Sequence, residues 1–131
     1  AVRACGHIYI DRGDRARALA SLDVARKRLE EAAPTVIIFP EGTRSNTGEL
    51  GSFKKGAFVL AIQTGVSVVP AAIFGSRQVM KRGSFLINSG IVRVHFGEPI
   101  QVGGYSMENR ARLTHRARQA VSELQKHYET S

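Results

Sequence analysis

The spacing of apolar residues along the chain changes several times, and each change indicates a separate element of secondary structure. Short runs rich in β-branched and aromatic residues predict strands at 7–10, 36–39, 66–73, 85–87 and 91–96. Apolar residues that recur every three or four positions predict helices at 14–32 and 54–64, and a final helix after Ser106. Strands and helices that alternate in this order are typical of a layered α/β domain.

Two of the predicted strands differ in how they would be buried. Every residue of 36–39 is apolar, as is usual for a strand covered on both faces in a parallel sheet. In 91–96, by contrast, Val92, Val94 and Phe96 lie on one face and polar residues lie on the other. We therefore expect one domain formed by all 131 residues, with a mostly parallel central sheet flanked by helices.

The composition excludes several classes of protein. Hydrophobic residues make up 43% of the chain and charged residues 23%, which is enough for a core and argues against disorder. The single cysteine, Cys5, excludes an internal disulfide framework, and the apolar runs are too short for a membrane-spanning helix. The sequence opens at Ala1 without a methionine or a signal-peptide pattern, which favours a piece from within a longer protein.

An excess of basic residues favours anionic partners. Nineteen Lys and Arg against eleven Asp and Glu give a net charge of +8, which suits phosphorylated metabolites, nucleic acid or an anionic membrane. The tyrosines are scattered rather than interleaved with basic residues, so we expect no nucleic-acid partner. The cluster of Arg77, Lys81 and Arg82 is interpreted as a membrane contact or as solvated surface. For the dispersed basic residues of the last helix we favour solvation: Arg110, Arg112, Arg116 and Arg118.

The most informative local pattern is the polar loop that follows the predicted strand 36–39. Ligands of α/β folds bind where strands end, and this loop has the residue types that bind an anion. Gly42 permits a close approach of the backbone, and Thr43 and Ser45 offer hydroxyl groups. Arg44 offers a planar guanidinium that matches phosphate oxygens.

Two acidic residues accompany the arginines of this predicted site. Glu41 would either orient Arg44 or accept a hydrogen bond from a substrate hydroxyl; the alternative is a solvated turn in which the two simply pair. Asp11 and Arg12 follow the predicted strand 7–10, and alone they would be an ordinary surface ion pair. If the two strands are parallel, Arg12 and Arg44 converge on one anion.

Taken together, these segments resemble motifs II and III of the glycerolipid acyltransferase family, whose bacterial member makes phosphatidic acid from 1-acylglycerol 3-phosphate. The sequence Phe-Pro-Glu-Gly-Thr-Arg at 39–44 matches letter for letter, and 6–12 matches the pattern Gly, two residues, aromatic, Ile, Asp, Arg. The segment 69–73 resembles the fourth motif, and 53–58 resembles the segment after motif III.

The resemblance implies transfer of an acyl group from acyl-CoA or acyl carrier protein to a glycerol hydroxyl of lysophosphatidate or glycerol 3-phosphate, in phospholipid biosynthesis. It implies no further cofactor, and a peripheral location on an anionic membrane surface at the cytoplasmic side. The residues that it assigns to the acceptor are Arg12, Glu41, Gly42, Thr43 and Arg44. Ser45, Lys54 and Lys55 would be additional phosphate contacts, although the two lysines equally suit a solvated helix start.

The chain departs from the family at its first motif, a His followed five positions later by an Asp, which carries catalysis. None of the four histidines has this spacing: His7 is followed by Arg12, for example, and His95 by Ile100. We therefore predict no catalytic residue and no activity for the chain alone, which we interpret as an N-terminally truncated acyltransferase domain. No pair of histidines has the spacing of a metal-binding helix motif, so we also predict no metal site. The alternative is a non-catalytic module that binds phosphate or anionic lipid.

Overall fold

The structure is a computed structural model that describes residues 15–32, 35–43, 45, 47–81 and 83–129. Within this part of the chain, four helices and two strands follow one another in the order α1 (Arg15–Ala32), α2 (Gly56–Thr64), β1 (Ala71–Phe74), α3 (Ser76–Val79), β2 (Arg93–Phe96) and α4 (Arg110–Glu129). The predicted strand 7–10, together with Arg12, Arg44 and Arg82, lies outside the described residues.

Helices α1 and α2 pack against each other, and both were predicted from apolar spacing. Ala25 and Leu29 of α1 are buried against Leu60 of α2, with Leu22 and Ile38 packed beside them. Helix α2 begins two residues later than predicted. It ends as predicted at Gly65, whose left-handed backbone (φ 69°) lets its N–H donate to the Ala61 carbonyl.

The larger core lies between α2, α4 and the segment that follows β2. Leu113 of α4 is its most enclosed residue, with 0% of its surface exposed. The buried members of this core are Phe58, Ala61, Ile100, Val102, Leu113 and Ala117. Helix α4 begins at Arg110 rather than directly after Ser106, and residues 107–109 form a turn before it. The Asn109 side-chain oxygen accepts the Ser106 N–H at 2.7 Å.

The sheet of the described residues is a single antiparallel pair. β1 pairs with β2 in the register Ala71↔Phe96 to Phe74↔Arg93, and a further bridge joins Val68 to Ile100. The expected parallel pairing is therefore not found in this part of the structure. The long connection between β1 and β2 reverses the chain, so the two strands run in opposite directions.

Two predicted strands are corrected by the structure. Residues 36–39 form no strand, and Ile37 and Phe39 are 80% and 67% exposed rather than covered on both faces. Residues 85–87 also form no strand, and Phe85 is fully exposed. A strand requires a hydrogen-bonded partner, and among the described residues neither segment has one.

The apolar face of β2 is exposed and its polar face is partly covered, which is the reverse of what the composition of the strand favours. Val94 and Phe96 share one face as predicted, but both are exposed. On the other face, the ring of His95 stacks on Tyr128 of α4 at 3.7 Å and meets Phe74 edge-on at 5.6 Å. Helix α4 therefore covers the polar face of the strand and leaves the apolar face uncovered in the described structure. None of the described helices is both long and apolar enough to cross a membrane.

Candidate functional site

The loop 39–52 turns back on itself so that the start of α2 lies beside its first residues. The Gly42 N–H donates to the Phe39 carbonyl at 3.1 Å, and the Lys54 N–H donates to the Pro40 carbonyl at 2.8 Å. The first bond closes a local turn, and the second joins residues that are fourteen positions apart along the chain.

Gly42 has a backbone conformation that favours glycine, and it lies against the end of a neighbouring side chain. Its φ of +74° lies in the left-handed region that favours glycine, and a Cβ there would lie only 3.0 Å from Cε and 3.1 Å from Nζ of Lys54. The Lys54 side chain therefore lies directly across the Gly42 backbone. This contact places an ammonium group within the predicted anion-binding motif.

Glu41 is fixed by a peptide group on the far side of the loop. Its Oε2 accepts the Gly51 N–H at 2.8 Å. The carbonyls of Leu50 and Gly51 accept hydrogen bonds from Arg118 of α4, from Nη2 at 2.8 Å and from Nε at 2.9 Å. A helix distant in sequence thus holds the same peptide group that holds Glu41.

Hydroxyl groups shape the tip of the loop. The Gly48 N–H donates to Ser45 Oγ at 2.9 Å, and the Glu49 N–H donates to Thr47 Oγ1 at 3.2 Å. The two hydroxyls lie 3.4 Å apart. The predicted phosphate contact Ser45 therefore has a local structural role in this structure, since its oxygen already accepts a backbone N–H.

The loop lines an open cleft of about 310 Å³ whose lining is mainly polar. Two carboxylate and four hydroxyl residues line it, which suits a ligand that carries hydroxyl groups. The lining residues are Glu41, Thr43, Ser45, Thr47, Glu49, Leu50, Gly51 and Ser52. Among the described residues, no three acidic, histidine or cysteine side chains cluster as metal ligands would.

The structure brings together most of the predicted site residues that it describes. Glu41, Thr43 and Ser45 line the cleft, and Lys54 lies against Gly42. Lys55 is different: its carbonyl accepts the N–H groups of Phe58 and Val59 at the start of α2, and the residue is exposed. Arg12 and Arg44 lie outside the described residues, so their predicted convergence stays a prediction.

Two residues that contact this loop were not predicted to do so. Arg118, interpreted from sequence as a solvated residue, donates two hydrogen bonds to the loop. Arg77 of α3 lies against Gly48, where a Cβ would stand 2.5 Å from its Nη1. The spacing of residues in the sequence does not predict the contact of Arg118, because Arg118 lies 67 positions beyond Gly51.

The chain is similar in sequence to several proteins named 1-acyl-sn-glycerol-3-phosphate acyltransferase. The chain is 54% identical over 67 residues to the chloroplastic 1-acyl-sn-glycerol-3-phosphate acyltransferase of Arabidopsis thaliana, a match that covers 50% of this chain and 19% of that protein. It is 32% identical over 104 residues to the 1-acyl-sn-glycerol-3-phosphate acyltransferase of Haemophilus influenzae, covering 79% of this chain and 42% of that protein. The chain thus spans between about a fifth and two fifths of the length of these two relatives.

A solved structure is similar in fold as well as in sequence. The crystal structure of the 1-acyl-sn-glycerophosphate (LPA) acyltransferase, PlsC, from Thermotoga maritima matches with a TM-score of 0.73 and 32% identity, covering 95% of this chain and 49% of that chain. This match confirms the predicted α/β acyltransferase fold. The family model described as Acyltransferase matches residues 1–74, which is more than half of the sequence. The chain therefore belongs to the Acyltransferase family.

Proposed function

We propose that this chain carries the acceptor-binding part of a domain that transfers an acyl group from a thioester to a glycerol hydroxyl of lysophosphatidate. The observation that carries the proposal is the motif loop 39–44, in which Lys54 lies across Gly42 beside a polar cleft. The names of the Arabidopsis and Haemophilus relatives supply the acceptor, 1-acyl-sn-glycerol 3-phosphate. Acyl-CoA or acyl carrier protein would be the acyl donor, and no other cofactor is required.

The phosphate and the glycerol of the acceptor would bind to different side chains. Its phosphate would bind to Lys54 together with Arg12 and Arg44, because guanidinium and ammonium groups form strong charge-assisted hydrogen bonds with phosphate oxygens. Its glycerol would lie in the cleft, where Thr43 donates or accepts a hydrogen bond. Among the described contacts Glu41 uses only Oε2, which leaves Oε1 to accept a hydrogen bond from a glycerol hydroxyl.

The transfer itself needs a general base. The acceptor oxygen attacks the thioester carbonyl while the base removes the hydroxyl proton. The carbon–sulfur bond then breaks to release a thiolate, which takes that proton from the base and leaves as the thiol. No histidine of this sequence has an aspartate five positions later. We therefore assign the base to polypeptide outside these 131 residues.

Two assays of the purified 131-residue chain test this division of labour. Calorimetry should show that glycerol 3-phosphate binds and that glycerol does not. Incubation with labelled acyl-CoA and lysophosphatidate should give no turnover, because loss of a general base costs about 10²–10⁴-fold in rate. Turnover equal to that of the Haemophilus relative would refute the assignment of the base.

Variants of neighbouring lysines test the acceptor site. Lys54→Ala should weaken glycerol 3-phosphate binding about tenfold, since a charge-assisted hydrogen bond contributes about 1.5–3 kcal/mol. Lys55→Ala should weaken binding less, because the positive charge of Lys55 would act on the phosphate only at a distance. Lys27→Ala, an exposed lysine of α1, is the control. Equal losses for all three variants would indicate nonspecific attraction to the basic surface.

A second candidate function, attachment to an anionic membrane, is favoured by one feature of the sequence and one of the structure. Residues 50–97 contain six Lys and Arg and no acidic residue. The same segment exposes Phe85, Leu86 and Ile87, close in sequence to the basic residue Lys81. Exposed apolar residues beside basic ones are typical of surfaces that bind anionic lipid. The contact would lie at the cytoplasmic side of the membrane, as the family resemblance implies.

Vesicle binding separates this second function from the first. The chain should sediment with phosphatidylcholine vesicles that contain phosphatidylglycerol and not with pure phosphatidylcholine vesicles. Phe85→Ser should reduce sedimentation and leave binding of glycerol 3-phosphate unchanged. Sedimentation that is insensitive to Phe85→Ser would remove this segment from the membrane contact.

A further inference from the structure

We propose that Arg118 is a positioning residue that fixes the carboxylate of Glu41 through a single peptide group. The peptide that joins Leu50 to Gly51 is held at both ends. Its carbonyl oxygen accepts a hydrogen bond from Arg118 Nη2 at 2.8 Å, and its N–H donates to Glu41 Oε2 at 2.8 Å. A guanidinium and a carboxylate are thereby connected through one amide.

The second hydrogen bond of Arg118 fixes the direction of this amide. Arg118 Nε donates to the Gly51 carbonyl at 2.9 Å, so the planar guanidinium binds two successive carbonyls. Two bonds from one rigid group determine orientation, whereas a single bond would allow the peptide to rotate about it. The Gly51 N–H is consequently directed toward Glu41.

The charge of Arg118 also strengthens the bond on the opposite side of the amide. A cation at the carbonyl oxygen polarises the peptide and makes its N–H a better donor, as in hydrogen-bonded chains generally. The Glu41 carboxylate lies close against Gly51, where a Cβ would stand 3.1 Å from Oε2. Arg118 therefore acts on Glu41 without touching it.

This inference rests on the proposed function only where it concerns the acceptor. If Glu41 Oε1 binds a glycerol hydroxyl, then releasing Oε2 from Gly51 lets the carboxylate rotate and weakens that bond. Arg118 would then determine how well the site binds a glycerol phosphate, although it does not line the cleft.

The test uses Arg118→Met, which keeps an apolar stem and removes the donors, and Arg118→Lys, which keeps the charge. The control is Arg116→Met, another exposed arginine of α4. The first measurement is hydrogen exchange of the Gly51 amide by NMR, which requires no ligand. Arg118→Met should accelerate it about tenfold relative to amides of α2, with partial recovery in Arg118→Lys and no change in the control.

The second measurement is a double-mutant cycle on affinity for glycerol 3-phosphate. Arg118→Met should weaken binding about threefold to tenfold in the wild-type background and have no further effect in Glu41→Ala, because both changes remove the same constraint. A purely structural role of Arg118 would give additive losses. Such additivity, or unchanged exchange of Gly51 in both Arg118 variants, overturns the proposal.

The two measurements also separate this inference from the proposed function. If exchange of Gly51 responds to Arg118 while the wild-type chain does not bind glycerol 3-phosphate, the positioning of Glu41 is supported and the proposed acceptor site is refuted. If the wild-type chain binds and neither exchange nor affinity responds to Arg118, the acceptor site is supported and the positioning role is refuted.

Discussion

At the scale of single residues, Gly42 combines a left-handed backbone with a close contact to Lys54, and the effects of the two can be measured separately. Gly42 has a positive φ of 74° and also meets the Lys54 side chain. Gly65, at the end of α2, has a similar φ of 69° but no atom within 4 Å of a Cβ position. A comparison of Gly42 with Gly65 therefore distinguishes the effect of backbone strain from the effect of displacing the Lys54 side chain.

Replacement of each glycine by alanine should give similar losses of stability and different losses of binding. Both variants should lower the free energy of unfolding by about 1–2 kcal/mol, the usual cost of a left-handed backbone in an L-residue. Only Gly42→Ala should displace Lys54 and weaken binding of glycerol 3-phosphate. Urea denaturation and calorimetry measure the two effects, and equal weakening of binding in Gly65→Ala would contradict the role of Lys54.

Arg44 provides a second prediction at this scale, argued from sequence alone. Arg44→Ala should weaken binding of glycerol 3-phosphate roughly tenfold to a hundredfold, since charge-assisted arginine bonds contribute about 1.5–3 kcal/mol. Arg44→Lys should restore part of the loss, because an ammonium keeps the charge but lacks the planar fork. If Arg44 only paired with Glu41, the variants would instead lower the melting temperature without discriminating between phosphorylated and unphosphorylated ligands.

At the scale of elements, α4 contacts three different parts of the described structure. Leu113 and Ala117 belong to the larger core, Tyr128 stacks on His95 of β2, and Arg118 binds the motif loop. One helix therefore joins the core, the sheet and the candidate site. Loosening α4 should affect all three together.

The core contact of α4 is the easiest to measure. Leu113→Ala should destabilise the chain by about 2–5 kcal/mol, because the residue is fully buried and its removal leaves a cavity. His115→Ala, at an exposed position of the same helix, should change stability by less than about 0.5 kcal/mol. Chemical denaturation followed by circular dichroism gives both values, and similar losses would show that α4 is not packed as described.

The elements also show why the sequence predicts some features and not others. Helices α1 and α2 follow from apolar spacing within a single segment, and the end of α2 follows from Gly65. The runs 36–39 and 85–87 indicate apolar surface, but a strand depends on a partner that the run itself does not specify. The motif loop was identified from its residue types, whereas Arg118 was not, because its contact joins residues 67 and 68 positions apart.

At the scale of the whole molecule, the main feature is an uncovered apolar face on the described sheet. Ile73 and Val94 are paired neighbours on β1 and β2, and both are exposed. Phe96, next on the same face of β2, is 72% exposed. Contiguous exposed apolar surface of this kind promotes association between molecules.

We therefore expect the isolated chain to form oligomers or to be poorly soluble despite its charge of +8. Phe96→Ser should shift the population toward monomer, because it removes the most exposed aromatic residue of that face. Light scattering combined with size-exclusion chromatography measures the change. A sharp monomer peak for the unaltered chain, with cooperative thermal unfolding, would contradict this expectation.

The hydrogen bonds between α4 and the motif loop have a consequence for the order in which the protein is built. A ribosome that adds about 5–20 residues per second completes Gly51 several seconds before it reaches Arg118. During that interval every residue of the motif loop exists, but its carbonyls have no arginine to bind. A message that terminated early, between Ser106 and Arg118, would encode every motif of the family present in this sequence and still yield a loop without the two hydrogen bonds from Arg118. A gene that encodes all of these motifs therefore specifies the complete site only if it also encodes the helix that follows them.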